Sequence, residues 1–290
     1  MEKKSNNIIN SRGVNISTIF ISSLIVVPLV ALLLSVLKID LNNFYYLWDN
    51  LLIDYSLNTL YLVLLTSFFS LIFGIFPAWF ISTSKFKGRN LYDIILYLPL
   101  AIPTYIMAFT YSDVLSYTGP IQSFSRKYMP EISNILNQDY LQIEVLAIIM
   151  GLALYPYIYT ACRISFSLVG SNYVDLCRNL GMSQMKTFFK IILPISRVAI
   201  FSGLFLVIME VLNEYGAVKY FGVNTFTSGI FRSWYSMQDV DTASLLAVSL
   251  FVIVVIFFFL ERYTNSKYQF NYLANTSQKS NFSPVSYTHL

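Results

Sequence analysis

Long apolar runs separated by short polar breaks dominate the chain. Crossing the hydrocarbon core takes about 20 consecutive apolar residues in a helix. Six stretches meet that length: "ISTIFISSLIVVPLVALLLSVL" (16–37), "LNTLYLVLLTSFFSLIFGIFPAWFIS" (57–82), "LYDIILYLPLAIPTYIMAFTYSDVL" (91–115), "IEVLAIIMGLALYPYIYTACRISFSL" (143–168), "ISRVAIFSGLFLVIMEVLNEYGAV" (195–218) and "TASLLAVSLFVIVVIFFFLERY" (242–263). The pattern predicts an all-α polytopic membrane protein with six transmembrane helices. The first run has too long an apolar core for a cleaved leader, and no small-residue cleavage site follows it. Prolines fall inside several runs, at Pro28, Pro77, Pro99, Pro103 and Pro156. Each removes a backbone donor and favours a kink, although proline is also simply commoner in membrane helices than in soluble ones. The pair Pro99 and Pro103 in "LPLAIPTY" predicts a local break.

One polar excursion between the runs has a pattern of its own. In "DLCRNLGMSQMKTFFKIILP" (Asp175–Pro194), Asn172 and Asp175 are spaced as an N-cap with an acid in the first turn. Gly181 stands where that short helix would end. Ser183 can cap a second helix carrying Met185, Phe188, Phe189 and Ile192 on one face and Lys186 and Lys190 on another, as a helix at a membrane surface would. Pro194 suits the first turn of the next span. The reading is a folded elbow of two short helices around a glycine.

Composition agrees with the pattern. The 290 residues are 56% hydrophobic and 12% charged, about half the charged share of a soluble domain. Cys162 and Cys177 form no CxxC pair, and the one histidine, His289, stands at the extreme C-terminus. The cysteines suit no disulfide framework or zinc site, and the lone terminal histidine excludes most zinc hydrolases and histidine-based triads. Placing the N-terminus in the cytoplasm puts Lys3, Lys4, Arg12, Lys85, Lys87, Arg89 and the elbow's Arg178, Lys186 and Lys190 on that side; Lys38, Arg126, Lys127, Lys219 and Arg232 fall on the other. This bias favours N-in and C-in, with the elbow cytoplasmic.

The elbow resembles the EAA loop of ABC-importer permeases: EAA, three residues, G, nine residues, then I, any residue, LP. Asp175 stands for the Glu, Leu176 and Cys177 replace the two Ala, and Gly181, Ile191, Leu193 and Pro194 complete the pattern at its spacing. Beyond the elbow, "LPLAIPTYIMAFTYSDVLSYTGPIQ", "LALYPYIYTACR" and "MEVLNEYGAVKYFGVNTFTSGIFRSWY" are similar to the N-terminal half of ferric-iron ABC-transporter permeases. The resemblance implies a MetI-like transmembrane domain in a bacterial inner membrane, importing ferric iron delivered by an extracytoplasmic binding protein. It implies as partners a cytosolic ATPase dimer, which uses ATP and Mg, and a second permease half or second copy. It divides the chain into a cytoplasmic tail (1–15), a first span and outer linker (16–44), the transmembrane domain (45–263, with the elbow at 172–194) and a polar tail (264–290). The ending "VSYTHL" resembles translated adapter sequence, so the natural chain is expected to continue.

No phosphate-binding GxxxxGK[ST] loop is present, so this chain is expected to bind no cofactor, to catalyse nothing and to draw its energy from the partner. No nucleic-acid partner and no resident metal are expected; the outer acids Asp113, Glu131, Asp139 and Glu144 are scattered. Candidate pathway residues are Glu210, Asn213 and Glu214, with the two acids four apart on one face of the fifth span. An intramembrane acid is a functional candidate by default. The alternative is a packing acid paired with Arg232 or solvated near the outer surface. Arg163 is expected to snorkel to the cytoplasmic interface, and Tyr155, Tyr157 and Tyr159 to serve packing or an interfacial belt. Thiamine, phosphonate or another small solute is the alternative cargo. An ion-coupled secondary transporter would leave the elbow without a role, and a membrane enzyme would need a nucleophile–base pair that does not appear.

Overall fold

A computed structural model describes residues 11–37, 51–84, 86–129, 131 and 138–276. Lys3, Lys4, Lys38, Lys85, Lys279 and His289 lie outside them. Every regular element among the described residues is helical. In chain order these are α1 (Ser11–Val36), α2 (Ile53–Thr83), α3 (Arg89–Ile95), α4 (Thr104–Leu115), α5 (Pro120–Tyr128) and α6 (Ile143–Asn179). Then come α7 (Gln184–Ile195), α8 (Arg197–Asn213), α9 (Gly216–Tyr220), α10 (Phe226–Phe231) and α11 (Val240–Thr276).

Four helices are long and apolar enough to cross a membrane on their own, over Thr18–Val36, Ile53–Thr83, Ile143–Leu168 and Val240–Tyr263. The third and fifth predicted spans are not single rods. The third breaks between Arg89–Ala101, which is α3 with its following 3-10 turn, and Thr104–Tyr128, which is α4 with α5, at an angle of 97°. Pro103 is the cause: a residue before proline is pushed out of the helical region, and Ile102 accordingly sits at φ −109°, ψ 119°. The fifth bends by 71° between α7 and α8, at Ser196 with ψ near 4°. Its straight part runs from Arg197 to Asn213 rather than 195–218. The sixth helix continues past 263 to Thr276, into residues whose polarity reads as a tail.

The chain divides into two compact units, one made of Met1–Thr59 and Asn224–Val252, the other of Leu60–Val223 and Ile253–Leu290. In the first unit α1 exposes Phe20, Leu24 and Val27, as a lipid-facing helix does. Thr225 and Ser228 form a reciprocal capping box on α10, and the Phe226 N–H donates to Thr59 Oγ1 on α2 at 3.2 Å. Asp239 caps α11 by accepting the Thr242 N–H at 3.0 Å.

The second unit is built around α6. Lipid tails are as apolar as leucine, so helices in a membrane associate by close packing of small residues. Gly74 of α2 and Gly203 of α8 both press on Ile158 of α6. A Cβ at Gly74 would lie 2.8 Å from Ile158 Cβ, and one at Gly203 would lie 2.9 Å from Ile158 Cα. Gly151 of α6 meets Phe69 of α2 in the same way. Ile158 is fully buried.

Candidate functional site

The elbow's first helix is not a separate element. α6 runs unbroken through Asn172 and Asp175 to Asn179, so no helix begins at Asn172 and Asp175 stands near the helix's negative end instead of its positive one. Gly170, Ser171 and Asn172 are poor helix formers, but each costs only about 1 kcal/mol or less, too little to end a helix of 37 residues.

The glycine turn forms as the sequence predicts. Gly181 adopts φ +74°, the Leu180 N–H donates to Leu176 O at 3.1 Å, and the Met182 N–H donates to Cys177 O at 2.9 Å. The last is the six-to-one bond of a Schellman ending, which gives partners to the orphan carbonyls of a helix terminus. Ser183 then opens α7, its Oγ accepting the Lys186 N–H at 3.4 Å. The motif residues point in different directions. Cys177 is buried, while Leu176 is 59% exposed and its neighbour Leu180 73%. The turn therefore presents an apolar tip.

The second elbow helix departs from its expected amphipathic face. Phe188–Ile192 form a π-turn, and the extra residue per turn rotates the face. Phe188 and Ile192 are buried, whereas Met185 and Phe189 are exposed; Lys186 and Lys190 remain outside. Phe188 lies 4.5 Å from Trp79, 6.2 Å from Phe166, 6.4 Å from Phe76 and 5.0 Å from Phe189, ring centre to ring centre. One residue thus binds the elbow to α2 and α6. Ile191 and Leu193 are half-buried beside it, and Pro194 is exposed just before the bend at Ser196.

The pathway acids separate. Glu210 is exposed on α8 and accepts the Tyr157 hydroxyl at 3.1 Å. Asn213, also exposed, donates to Met209 O of its own helix at 2.9 Å. Glu214 has left the helix, with ψ 123°, so the two acids do not share a helix face. Its Oε1 accepts the Ala217 N–H at 2.9 Å, and its Oε2 accepts the Thr104 hydroxyl. It caps α9 and ties it to α4. Arg232, the partner considered for these acids, donates from Nη2 to Asn224 Oδ1 at 2.8 Å.

Sequence reasoning missed a polar network between α3 and α6. Asp93 accepts the Tyr159 hydroxyl and pairs with Arg163 Nη2 at 3.3 Å. Arg163 is 20% exposed and is a paired side chain. Tyr97 meets the Tyr159 ring edge-on at 5.2 Å. Two of the three tyrosines expected to serve packing thus hold carboxylates. Among the described residues no three His, Cys, Asp or Glu side chains gather as a metal site.

The family described as "Binding-protein-dependent transport system inner membrane component" matches residues 70–268. The sulfate transport system permease protein CysT of Salmonella typhimurium is 25% identical over 213 residues, which is 72% of this chain and 73% of that protein. The Fe(3+)-transport system permease protein FbpB 2 of Haemophilus influenzae is also 25% identical, over 72% of this chain but only 37% of its own length. Among solved structures, a bacterial alginate ABC transporter, in complex with an alginate pentasaccharide-bound periplasmic protein, superimposes with a TM-score of 0.71 at 18% identity. The match covers 89% of this chain and 96% of that one.

Proposed function

Because the chain belongs to the family of binding-protein-dependent transport system inner membrane components, and so is a permease subunit of an ABC importer, we propose that it forms the membrane pathway for ferric iron delivered by an extracytoplasmic binding protein. The elbow carries the coupling part of this reading. A Schellman-closed turn with exposed Leu176 and Leu180 suits an apolar groove on a cytosolic ATPase subunit. A dimer of that subunit, using ATP and Mg, would move two such elbows together. The second elbow comes from another permease half or a second copy. The N-terminus, C-terminus and elbow then lie in the cytoplasm. Motion reaches the spans through Phe188, which is packed against α2 and α6.

Glu210 supports a cationic cargo. It is exposed on a membrane helix and held by a neutral tyrosine rather than by a cation. An anionic cargo would meet an uncompensated like charge there, which low dielectric amplifies. A second reading is sulfate, supported by the fuller overlap with the sulfate permease, 73% of its length against 37% for the iron permease.

The deciding experiment reconstitutes the chain with its second half, ATPase and binding protein, and measures ATP-dependent uptake of ferric iron and of sulfate. Uptake of iron, reduced by Glu210→Gln with assembly intact, is the expected result. Uptake of sulfate, unchanged or faster in Glu210→Gln, replaces the cargo assignment. Uptake without the ATPase sinks the importer reading in favour of an ion-coupled transporter.

A further inference from the structure

The short helix α5 is folded inside out for a helix bathed in water. Its buried residues are Gln122 and Ser125, and its exposed ones include Ile121, Phe124 and Tyr128. Positions 121, 124 and 128 share one helical face, with Phe124 and Tyr128 ring centres 4.7 Å apart. Tyr117 and Met129 are exposed at the two ends.

The reason for the inversion is visible at the end of α4. Gln122 Nε2 donates to Leu115 O at 2.8 Å, giving a partner to a carbonyl that a helix terminus otherwise leaves bare. The turn between the helices is tight; a Cβ at Gly119 would sit 2.4 Å from Asp113 O. The clasp fixes α5 with its polar side inward, and the apolar side has to face something that is not water.

The charges on that side identify it. Arg126 lies 4.1 Å from the centre of the Tyr117 ring, and Lys127 lies 5.1 Å from that of Tyr128. No acid occurs in "PIQSFSRKY". Aromatic rings beside cations, on a helix that follows directly from an apolar one, match the headgroup layer of a bilayer, where amphipathic rings and basic side chains concentrate.

We propose that α5 lies in the plane of the membrane surface. Ile121, Phe124 and Tyr128 enter the boundary of the acyl chains, and Arg126 and Lys127 meet lipid phosphates. α5 then sets the depth of α4, and with it the Thr104 end that Glu214 holds. The inference is independent of the cargo.

The test uses the full chain in lipid nanodiscs, with nitroxide labels on Phe124→Cys or, as a control, Ser123→Cys. Cys162 and Cys177 are both buried, and the unsubstituted chain is treated in parallel to measure background labelling. Collisions with oxygen, which partitions into lipid, are compared with collisions with a water-soluble nickel chelate. The expected result is a several-fold oxygen preference at 124 and the reverse at 123. Raising the fraction of phosphatidylglycerol should deepen the position of 124, and the Arg126→Glu, Lys127→Glu double variant should lose that response. Equal nickel access at 123 and 124 overturns the proposal. So does protection of 124 only after the transport partners are added, which assigns the face to a protein. An unchanged phosphatidylglycerol response in the double variant overturns the phosphate contacts.

Discussion

Replacing Gly181 by valine tests the elbow at its tightest point. The residue sits at φ +74°, and an added Cβ meets nothing within 4 Å. The cost within this chain is therefore backbone strain alone. A left-handed conformation costs an L-residue roughly 1–2 kcal/mol, with asparagine the milder exception, and a β-branched side chain is the worst placed. Against this stands the Met182-to-Cys177 hydrogen bond, worth about 1 kcal/mol net. Strain of about 2 kcal/mol exceeds that bond and opens the turn, whereas alanine roughly balances it. The expected order of coupling is Gly, then Asn, then Ala, then Val. Binding-protein-stimulated ATP hydrolysis and ATPase co-purification follow this order in the reconstituted complex, and membrane insertion stays near normal because the spans are unchanged. Asp175→Lys should not weaken the helix, since a cation near the negative end of α6 is favourable by about 0.3–1 kcal/mol. Full coupling in Gly181→Val refutes the reasoning. So does an order in which alanine is harmless and asparagine as damaging as valine, because side-chain bulk against the partner would then decide.

Four further substitutions test the packing and the caps. Glu214→Ala removes the cap on α9 and should cost about 1–2 kcal/mol, seen as a lower unfolding temperature in detergent. Glu210→Ala, at an exposed site, should stay within about 0.5 kcal/mol, and equal losses would show that the two acids do the same work. Gly203→Ala forces a Cβ against the Ile158 backbone and should destabilise by about 1–3 kcal/mol, whereas an unchanged transition would mean that α6 and α8 are looser than described. The Thr242 hydroxyl and backbone N–H hold the Asp239 carboxyl below its ordinary value. Its contribution is therefore present above about pH 4 and is lost as the pH falls through the depressed folded value. The unfolding temperature of Asp239→Asn should be lower at neutral pH and fall less on acidification; parallel curves for the two chains would remove Asp239 from the acid response.

The apolar runs made the spans legible because a bilayer demands them residue by residue. The break in the third span was legible too, since Pro103 acts on its immediate neighbour. The bend at Ser196 was not, because "LPIS" suits the first turn of a straight helix as well as a corner. At the elbow, Gly181 declared itself through the one backbone region that glycine tolerates best. The helix before it was misread because capping residues in a sequence show where a helix could begin, not that the preceding one has stopped. The partnerships of Glu214 and Asp93 stayed hidden for a different reason. Their partners, Thr104 and Arg163, lie 110 and 70 residues away, and no local periodicity records such pairs.

The aromatic cluster around Phe188 has a mechanical consequence. Its rings meet tilted or edge-on, at centre distances of 4.5–6.4 Å, and aromatic pairs accept more than one such arrangement. A hydrogen-bonded joint would resist turning, since its energy falls steeply with angle. A socket of rings resists being pulled apart but lets its ball roll. Under the proposed coupling, force applied at the tip of the elbow would be delivered to α2 and α6 as a push, while the angle between lever and rods could change.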